Sequence, residues 1–334
     1  MANVSVLMPF KITLPEQVGW LIEAIKSIRD QEYQEWELVL VNDHSTQDLS
    51  AVKTYLQALD DSRILGYKLP KDKTGVCQAR NLAAEKAGAE LLLPVDADDR
   101  LVPEALKKYM IAWANGGNAQ GLVYTDVQIF GQDFQRLFSS GDYDFTRLLQ
   151  NLFMCIGGLH RKSDWQRAGG WNPVMEAGLE DWEYWIHLGE LGVCGYYIPD
   201  ALYQYRKVLH GRYATLRAGG DLYDVQSAKI RDLHANTYKG ERPMGCCGRG
   251  STKNAPARQP ATIAYNVPAG DRVAVYYVGN RSGSFFMTGK MTGTKYMVNG
   301  AGNMLTTMDS QLGVFKEDVT MLTAINRGRD FVVK

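Results

Sequence analysis

Cysteine is scarce in this 334-residue chain, and nothing organises it. Cys77, Cys155, Cys194, Cys246 and Cys247 are odd in number and scattered. That argues against a disulfide framework and for a reducing compartment. Cys246-Cys247 has no second Cys or His pair at zinc-ligand spacing, so idle thiols are expected there. No apolar run approaches the ~20 residues that span a bilayer. The opening MANVSVLMPFKI has neither a basic leader nor a cleavage site, so no signal peptide and a cytoplasmic location are expected. Net charge is absent too, since Lys+Arg and Asp+Glu are both 37. At 45% apolar and 22% charged residues, wholesale disorder is excluded.

The balanced charge is unevenly spread. Residues 236–334 hold 13 basic and 6 acidic residues, a net of +7, against −7 for the first 235. All seven Trp lie before residue 190. The stretch ERPMGCCGRGSTKNAPARQPA, rich in Gly and Pro, has a linker composition. A chain of this size is expected to form two domains. We read residues 1–238 as the first, 239–261 as a linker and 262–334 as a small all-β domain. The last contains short β-like runs at Thr262–Asn266, Arg272–Val278, Ser284–Met287 and Lys295–Val298, separated by Gly-containing turns.

The first domain alternates. Val4–Met8, Glu37–Val41, Ile64–Lys68, Glu90–Val95 and Leu122–Val127 read as strands. Helical patterns lie between them: Val18, Leu21, Ile22, Ile25 and Ile28 recur at three and four, and Leu49–Leu59, Gly75–Ala87 and a segment opened by Pro103 follow. A further helix is expected near Asp181–Leu191, with short strands at Gly195–Ile198 and Leu202–Tyr205. Such alternation predicts an α/β fold with a mainly parallel sheet flanked by helices. Ligands of such sheets bind beyond the carboxyl ends of the strands. The polar clusters Asp43–Thr46 and Asp96–Asp99 both fall there.

Each cluster has a chemical and a structural reading. Asp96-x-Asp98-Asp99 can hold one hard cation together with substrate phosphates, and Asp99 could instead cap the helix behind Pro103. Asp43 can accept the N–H of a nucleobase, or form a turn that caps the next helix. The helix opened by Gly75 could face a diphosphate, with Arg80 in its second turn. Arg80 could equally pair with Glu85 on the surface. Glu180 and Asp181 beside Trp182 and Trp185 suit a sugar site with a carboxylate as general base. Acids also favour helix starts, and the two Trp could be core.

In this order and at these spacings, VSVLMP, ELVLVNDHST, GVCQARNLAAEKAGAELLLPVDADD and GGWNPVMEAGLEDWEYWIHLGELG resemble the family 2 inverting glycosyltransferases of the GT-A fold, over roughly residues 3–210. The resemblance implies a nucleotide-sugar donor, a UDP-sugar first among them, a divalent Mn²⁺ or Mg²⁺, and single displacement at the anomeric carbon. Carried over, it puts Pro9 and Asp43 at the nucleobase and Arg80 near the nucleotide. Asp96 falls at the ribose or metal, Asp98 is the metal ligand, and Asp181 is the catalytic base with Glu180 beside it. His210 falls where relatives carry a His near the metal, and Trp171 and Trp182 would face the acceptor. Many relatives have Thr-Tyr-Asn after the Pro, and here Phe10-Lys11-Ile12 follows.

The implied acceptor is a glycan, a lipid-linked or a macromolecular hydroxyl. The stretch TGTKYMVNG…LTTMDSQLGVF is faintly similar to small β modules of bacteriophage proteins, which would put the reaction in a host cytoplasm. Such a basic module could bind the acceptor, contact an anionic surface, mediate oligomers, or be a purely structural appendage. A non-catalytic sugar-nucleotide or glycan binder on the same fold would need no base. A nucleotidyltransferase would carry a Gly-rich phosphate loop after the first strand, which VSVLMPFKITLP lacks.

Overall fold

The computed structural model describes residues 2–131, 134–208 and 222–241, and seven strand stretches between 272 and 333. His210, the run Thr262–Asn266 and linker residues 242–261 lie outside the described residues. The chain divides into two compact units, residues 1–132 with 139–253 and residues 133–138 with 254–334.

The first unit is built on β1 (Val4–Phe10), buried along all but its last residue. Such a run suits a strand covered on both faces. It lies parallel between β2 (Trp36–Asn42) and β4 (Leu91–Pro94), with β3 (Ile64–Lys68) parallel beyond β2. Past β4 the pairing changes. β8 (Leu159–Arg161) runs antiparallel to both β4 and β6 (Gly121–Gly131). β9 (Cys194–Arg206) is parallel to β6 and antiparallel to β5 (Arg100–Leu101). The strand order is β3-β2-β1-β4-β8-β6-β9-β5. The sheet is thus parallel in one half and mixed in the other. The two short strands expected at 195–205 are one strand, β9, whose register against β6 shifts next to Asp126.

From β1 the chain builds outward through β2 and β3, then returns to the other flank of β1 as β4. The carboxyl ends of β1 and β4 therefore border a switch point, where open α/β sheets bind ligands. Pro9 and Pro94 stand at those two ends, where a missing N–H costs the ladder least.

Around the sheet lie α1 (Glu16–Arg29), α2 (Ser50–Leu59), α3 (Val76–Lys86), α4 (Ala105–Ala112), α5 (Asn118–Gln120), α6 (Phe145–Gln150), α7 (Lys162–Ala168), α8 (Glu180–Glu190), α9 (Leu222–Leu233) and α10 (Ala235–Tyr238). In α1 the buried Leu21, Ala24, Ile25 and Ile28 form the stripe that the spacing predicts. Helix α3 buries Cys77, Ala79, Ala83 and Ala84, which are small enough to seat it closely on β1 and β2. Arg80 lies on the same buried face.

Helices α9 and α10 are fastened to α8 and its surroundings by polar contacts. Buried His234 lies 3.4 Å from Glu183 Oε1 and 3.0 Å from Glu190 Oε1. The Thr237 hydroxyl also donates to Glu190. Tyr238 Oη donates to the Leu149 carbonyl and Lys229 Nζ to that of Val174. The two carboxylates push the His234 imidazole up to about 9, against the burial that opposes its charge.

The second unit includes β7 (Phe134–Phe138) and short antiparallel pairs. Arg272–Val273 pairs with Val314–Phe315, and Val275–Tyr277 with Phe331–Val333. Phe285–Thr288 pairs with Lys295–Val298, which also pairs with Thr306–Thr307.

Cys77 and Cys155 are free cysteines. No helix among the described residues is long and apolar enough to cross a membrane.

Candidate active site

The loop after β4 carries the three acids into different roles. Asp99 is fully buried, and its carboxylate accepts from Tyr203 Oη and the Arg206 backbone N–H, each at 2.7 Å. It fastens β9 to this loop. It does not cap a helix, since α4 begins at Ala105 without a side-chain cap. Asp98 stays half-buried, and its backbone carbonyl accepts from Arg206 Nε at 2.8 Å. Burial and the neighbouring charge of Asp96 push the Asp98 carboxyl up to about 6.

Asp96 meets Arg80. The guanidinium is buried and bridges two carboxylates, Asp96 Oδ1 at 2.6 Å and Glu180 Oε1 at 2.8 Å. Burial opposes its charge, and the two acids more than offset that, so Arg80 stays cationic. The alternative pairing with Glu85 is not what forms, because Glu85 pairs with Lys86. One side chain of α3 thus ties the end of β4 to the start of α8.

The entry to α8 is bent sharply. Gly178 has φ +138°, and Leu179, buried and not glycine, has φ +61°. A left-handed Leu is uncommon, and such conformations cluster at functional sites. The turn puts Glu180 and Asp181 in the first helical turn, where backbone N–H groups favour acids. Burial and the charge of Glu180 push Asp181 up to about 7, and Arg80 opposes this.

The two Trp assigned to the acceptor are core side chains. Trp171 is fully buried with its ring 4.4 Å from that of Tyr184, and Trp182 is buried with its indole N–H on the Leu148 carbonyl. Neither has a face open to a sugar. Trp185 is buried as well.

At the end of β2, Asp43 is buried and accepts three donors: Thr74 Oγ1 at 2.9 Å, the Gly75 N–H at 3.0 Å and Lys11 Nζ at 3.3 Å. It secures the loop before α3 and does not cap α2, which begins at Ser50. His44, at φ +52°, sets Nε2 3.2 Å and 3.0 Å from the carbonyls of Pro70 and Lys73 and so holds the same loop.

The start of α3 is not open to a diphosphate. The N–H groups of Val76 and Cys77 donate to the carboxylate of Glu176. Glu176 is one of the contributors that sequence reasoning missed. Asn81 is another: it exchanges hydrogen bonds with the Trp171 backbone at 2.8 Å each way. Tyr203 and Arg206 complete the set. Each acts across a long sequence separation, so no local pattern flags it. Among the described residues no group of three or more His, Cys, Asp or Glu is arranged to hold a metal ion.

With this geometry in hand, the likenesses to known proteins are informative. Residues 5–161 match the model of "Glycosyl transferase family 2". This region, just under half of the chain, resembles that family. The glycosyltransferase domain is 34% identical over 110 residues to the GalNAc(5)-diNAcBac-PP-undecaprenol beta-1,3-glucosyltransferase of Campylobacter jejuni, covering 33% of this chain and 34% of that one. It is 31% identical over 98 residues to an uncharacterised glycosyltransferase of Rickettsia bellii, covering 29% of this chain and 13% of that one. The chain thus spans about a third or less of these relatives' length. Among solved structures, TarS 1-349 of S. aureus in complex with UDP-GlcNAc superposes with a TM-score of 0.52 at 16% identity, covering 64% of this chain and 61% of that one. At that identity the match shows a shared fold, the GT-A α/β fold that the sequence motifs imply.

Proposed function

We propose that the chain is an inverting, metal-dependent glycosyltransferase that moves a sugar from a UDP-sugar to an acceptor hydroxyl. The observation that carries this reading is the Asp96–Arg80–Glu180 bridge, which joins the β4 carboxylates and the first turn of α8. Donor groups and acceptor base need that proximity.

Asp181 is the general base. Its proton affinity, raised toward neutrality, suits removal of a hydroxyl proton during attack. Attack by that hydroxyl on the anomeric carbon expels the nucleoside diphosphate and inverts the centre. Glu180 is held by Arg80 and keeps the helix start in register. Asp43 and Pro9 lie at the nucleobase, and Arg80 acts near the nucleotide through Asp96.

The donor set fits a hard divalent cation. Mg²⁺ and Mn²⁺ take one or two carboxylates plus substrate phosphates, which Asp98 and Asp96 could provide. The repulsion that raises Asp98 is what such a cation would relieve. Bound there, the metal would neutralise charge on the departing diphosphate. Asp99 is committed to Tyr203 and Arg206 and is not a ligand in this reading. His210 is a further candidate, carried by the family resemblance.

A uracil nucleotide is supported by TarS, whose structure was solved with UDP-GlcNAc. A lipid-linked glycan acceptor is supported by the name of the Campylobacter relative. We assign residues 1–238 to transfer and the basic residues 262–334 to acceptor capture or oligomerisation.

The test is a screen of nucleotide sugars with Mn²⁺, reading nucleoside diphosphate release and thermal shift for each. One donor should both stabilise the protein and be turned over. Stabilisation without turnover for any acceptor or water would reduce the protein to a binder.

A further inference from the structure

We propose that Lys11 is a specificity residue that reads a carbonyl oxygen of the donor's base and selects uracil over cytosine. The inference rests on the donor-site reading above. Lys11 follows β1 and Asp43 follows β2, so both stand at the carboxyl edge of adjacent parallel strands. Lys11 Nζ is 3.3 Å from Asp43 Oδ2 and 3.4 Å from Thr74 Oγ1. Its side chain is 46% exposed, whereas that of Asp43 is 6% exposed. An ion pair so exposed contributes little to stability. The ammonium has three N–H donors, and these two contacts leave one to turn outward beside a buried acceptor.

The pair offers a donor next to an acceptor. Uracil presents the complement, an imide N–H flanked by carbonyl oxygens. Cytosine presents a bare ring nitrogen and an amino group at the same edge. Its lone pair would face the carboxylate, and its amino group would face the ammonium. Guanine also carries a carbonyl beside an N–H, but its adjacent amino group calls for a second acceptor site on the carboxylate. Asp43 already accepts three donors, Thr74 on Oδ1 and both Lys11 and the Gly75 N–H on Oδ2, so one acceptor site is left, enough for an imide N–H and not for an N–H and an amino group together. Thr74 therefore narrows the choice from lactam bases in general to uracil.

The test measures equilibrium binding of UDP, CDP and GDP to the full chain with Mg²⁺, and of uridine by saturation-transfer NMR, for wild type, Lys11→Met and Thr74→Val. Wild type should bind UDP most tightly. Lys11→Met should weaken UDP by about tenfold or more, the usual scale for a hydrogen bond to a charged group, and change CDP by less than about twofold. Uridine should lose the same factor as UDP. Thr74→Val should narrow the gap between UDP and GDP. Equal losses for UDP and CDP would overturn the proposal, because they would make Lys11 a general anion contact. So would a loss confined to UDP and absent from uridine, which would assign Lys11 to the phosphates. If wild type binds none of the three diphosphates, the donor-site reading itself fails, and this inference with it.

Discussion

Burial can bring an ordinary acid into the range where it takes up a proton near neutrality, which is what the base role proposed for Asp181 requires. Its carboxyl sits high because of burial and Glu180, and Arg80 limits the rise. Asp181→Asn should lower transfer by at least about 10³-fold and leave donor Kd within about twofold, since the amide keeps the shape and loses the base. Steady-state kinetics with donor titrations check both. A base raised to about 7 is protonated below that pH, so wild-type transfer should fall as the pH drops through neutrality, and the residual rate of the variant should not. Asp98 gives the metal prediction. Its folded-state proton affinity is raised, so deprotonation costs stability as the pH rises from about 4 through about 6. A divalent cation should therefore raise the Tm by several degrees at pH 7.5 and by much less at pH 5, and Asp98→Asn should abolish the difference. Excess EDTA should stop transfer. The residue types at these positions were legible in the sequence, and so were their places at strand and helix ends. Their division of labour was not. Asp99 and Asp98 are neighbours in an acidic triplet, and only the approach of Tyr203 and Arg206 from β9 separates their roles.

Elements in the parallel half were the most legible, because runs such as Val4–Met8 and the stripe in α1 encode burial directly. The mixed half was legible in part, since stretches of β6 and β9 were expected as strands but β8 and β5 were not. β8 has three residues, too few for a period, and α9 carries no motif. Trp171 and Trp182 misled for a related reason: aromatics beside acids look the same whether they line a pocket or fill a core. The attachment of α9 and α10 to α8 has a testable pH signature. His234 gains proton affinity on folding, from an ordinary 6.5 to about 9. Its stabilisation is fully present below about 6.5 and is lost as the pH rises through about 9. Urea unfolding at pH 6.5 and pH 9.5 should show that loss. His234→Ala should destabilise the fold by about 1.5–3 kcal/mol at pH 6.5, because the carboxylates of Glu183 and Glu190 would lose the imidazolium between them. The variant's pH dependence over this window should be flatter.

At the scale of the molecule, charge separates the two ends of the chain. Residues 236–334 carry +7, and the first 235 carry −7. A chain ending near Asn254 should keep simple donor hydrolysis and lose transfer to its natural acceptor. The loss should be largest at low salt, where a cationic module steers an anionic partner most effectively. Equal transfer by both chains across a salt series would remove the tail from acceptor capture. An unfolded product would instead make residues beyond 254 part of the catalytic core. The Asp96–Arg80–Glu180 bridge has a different kind of consequence, for how this sequence can drift. Loss of Arg80 takes the shared cation from both acids, whereas loss of either acid leaves Arg80 its other partner, so single substitutions should cost most stability at position 80. Replaced together by apolar residues of similar volume, such triads can be neutral or stabilising. Arg80→Met with Asp96→Leu and Glu180→Leu should therefore melt at or above the wild-type temperature while transferring no sugar. Position 80 would then change most readily together with 96 and 180, and a lineage that changed all three would keep the fold after giving up the enzyme.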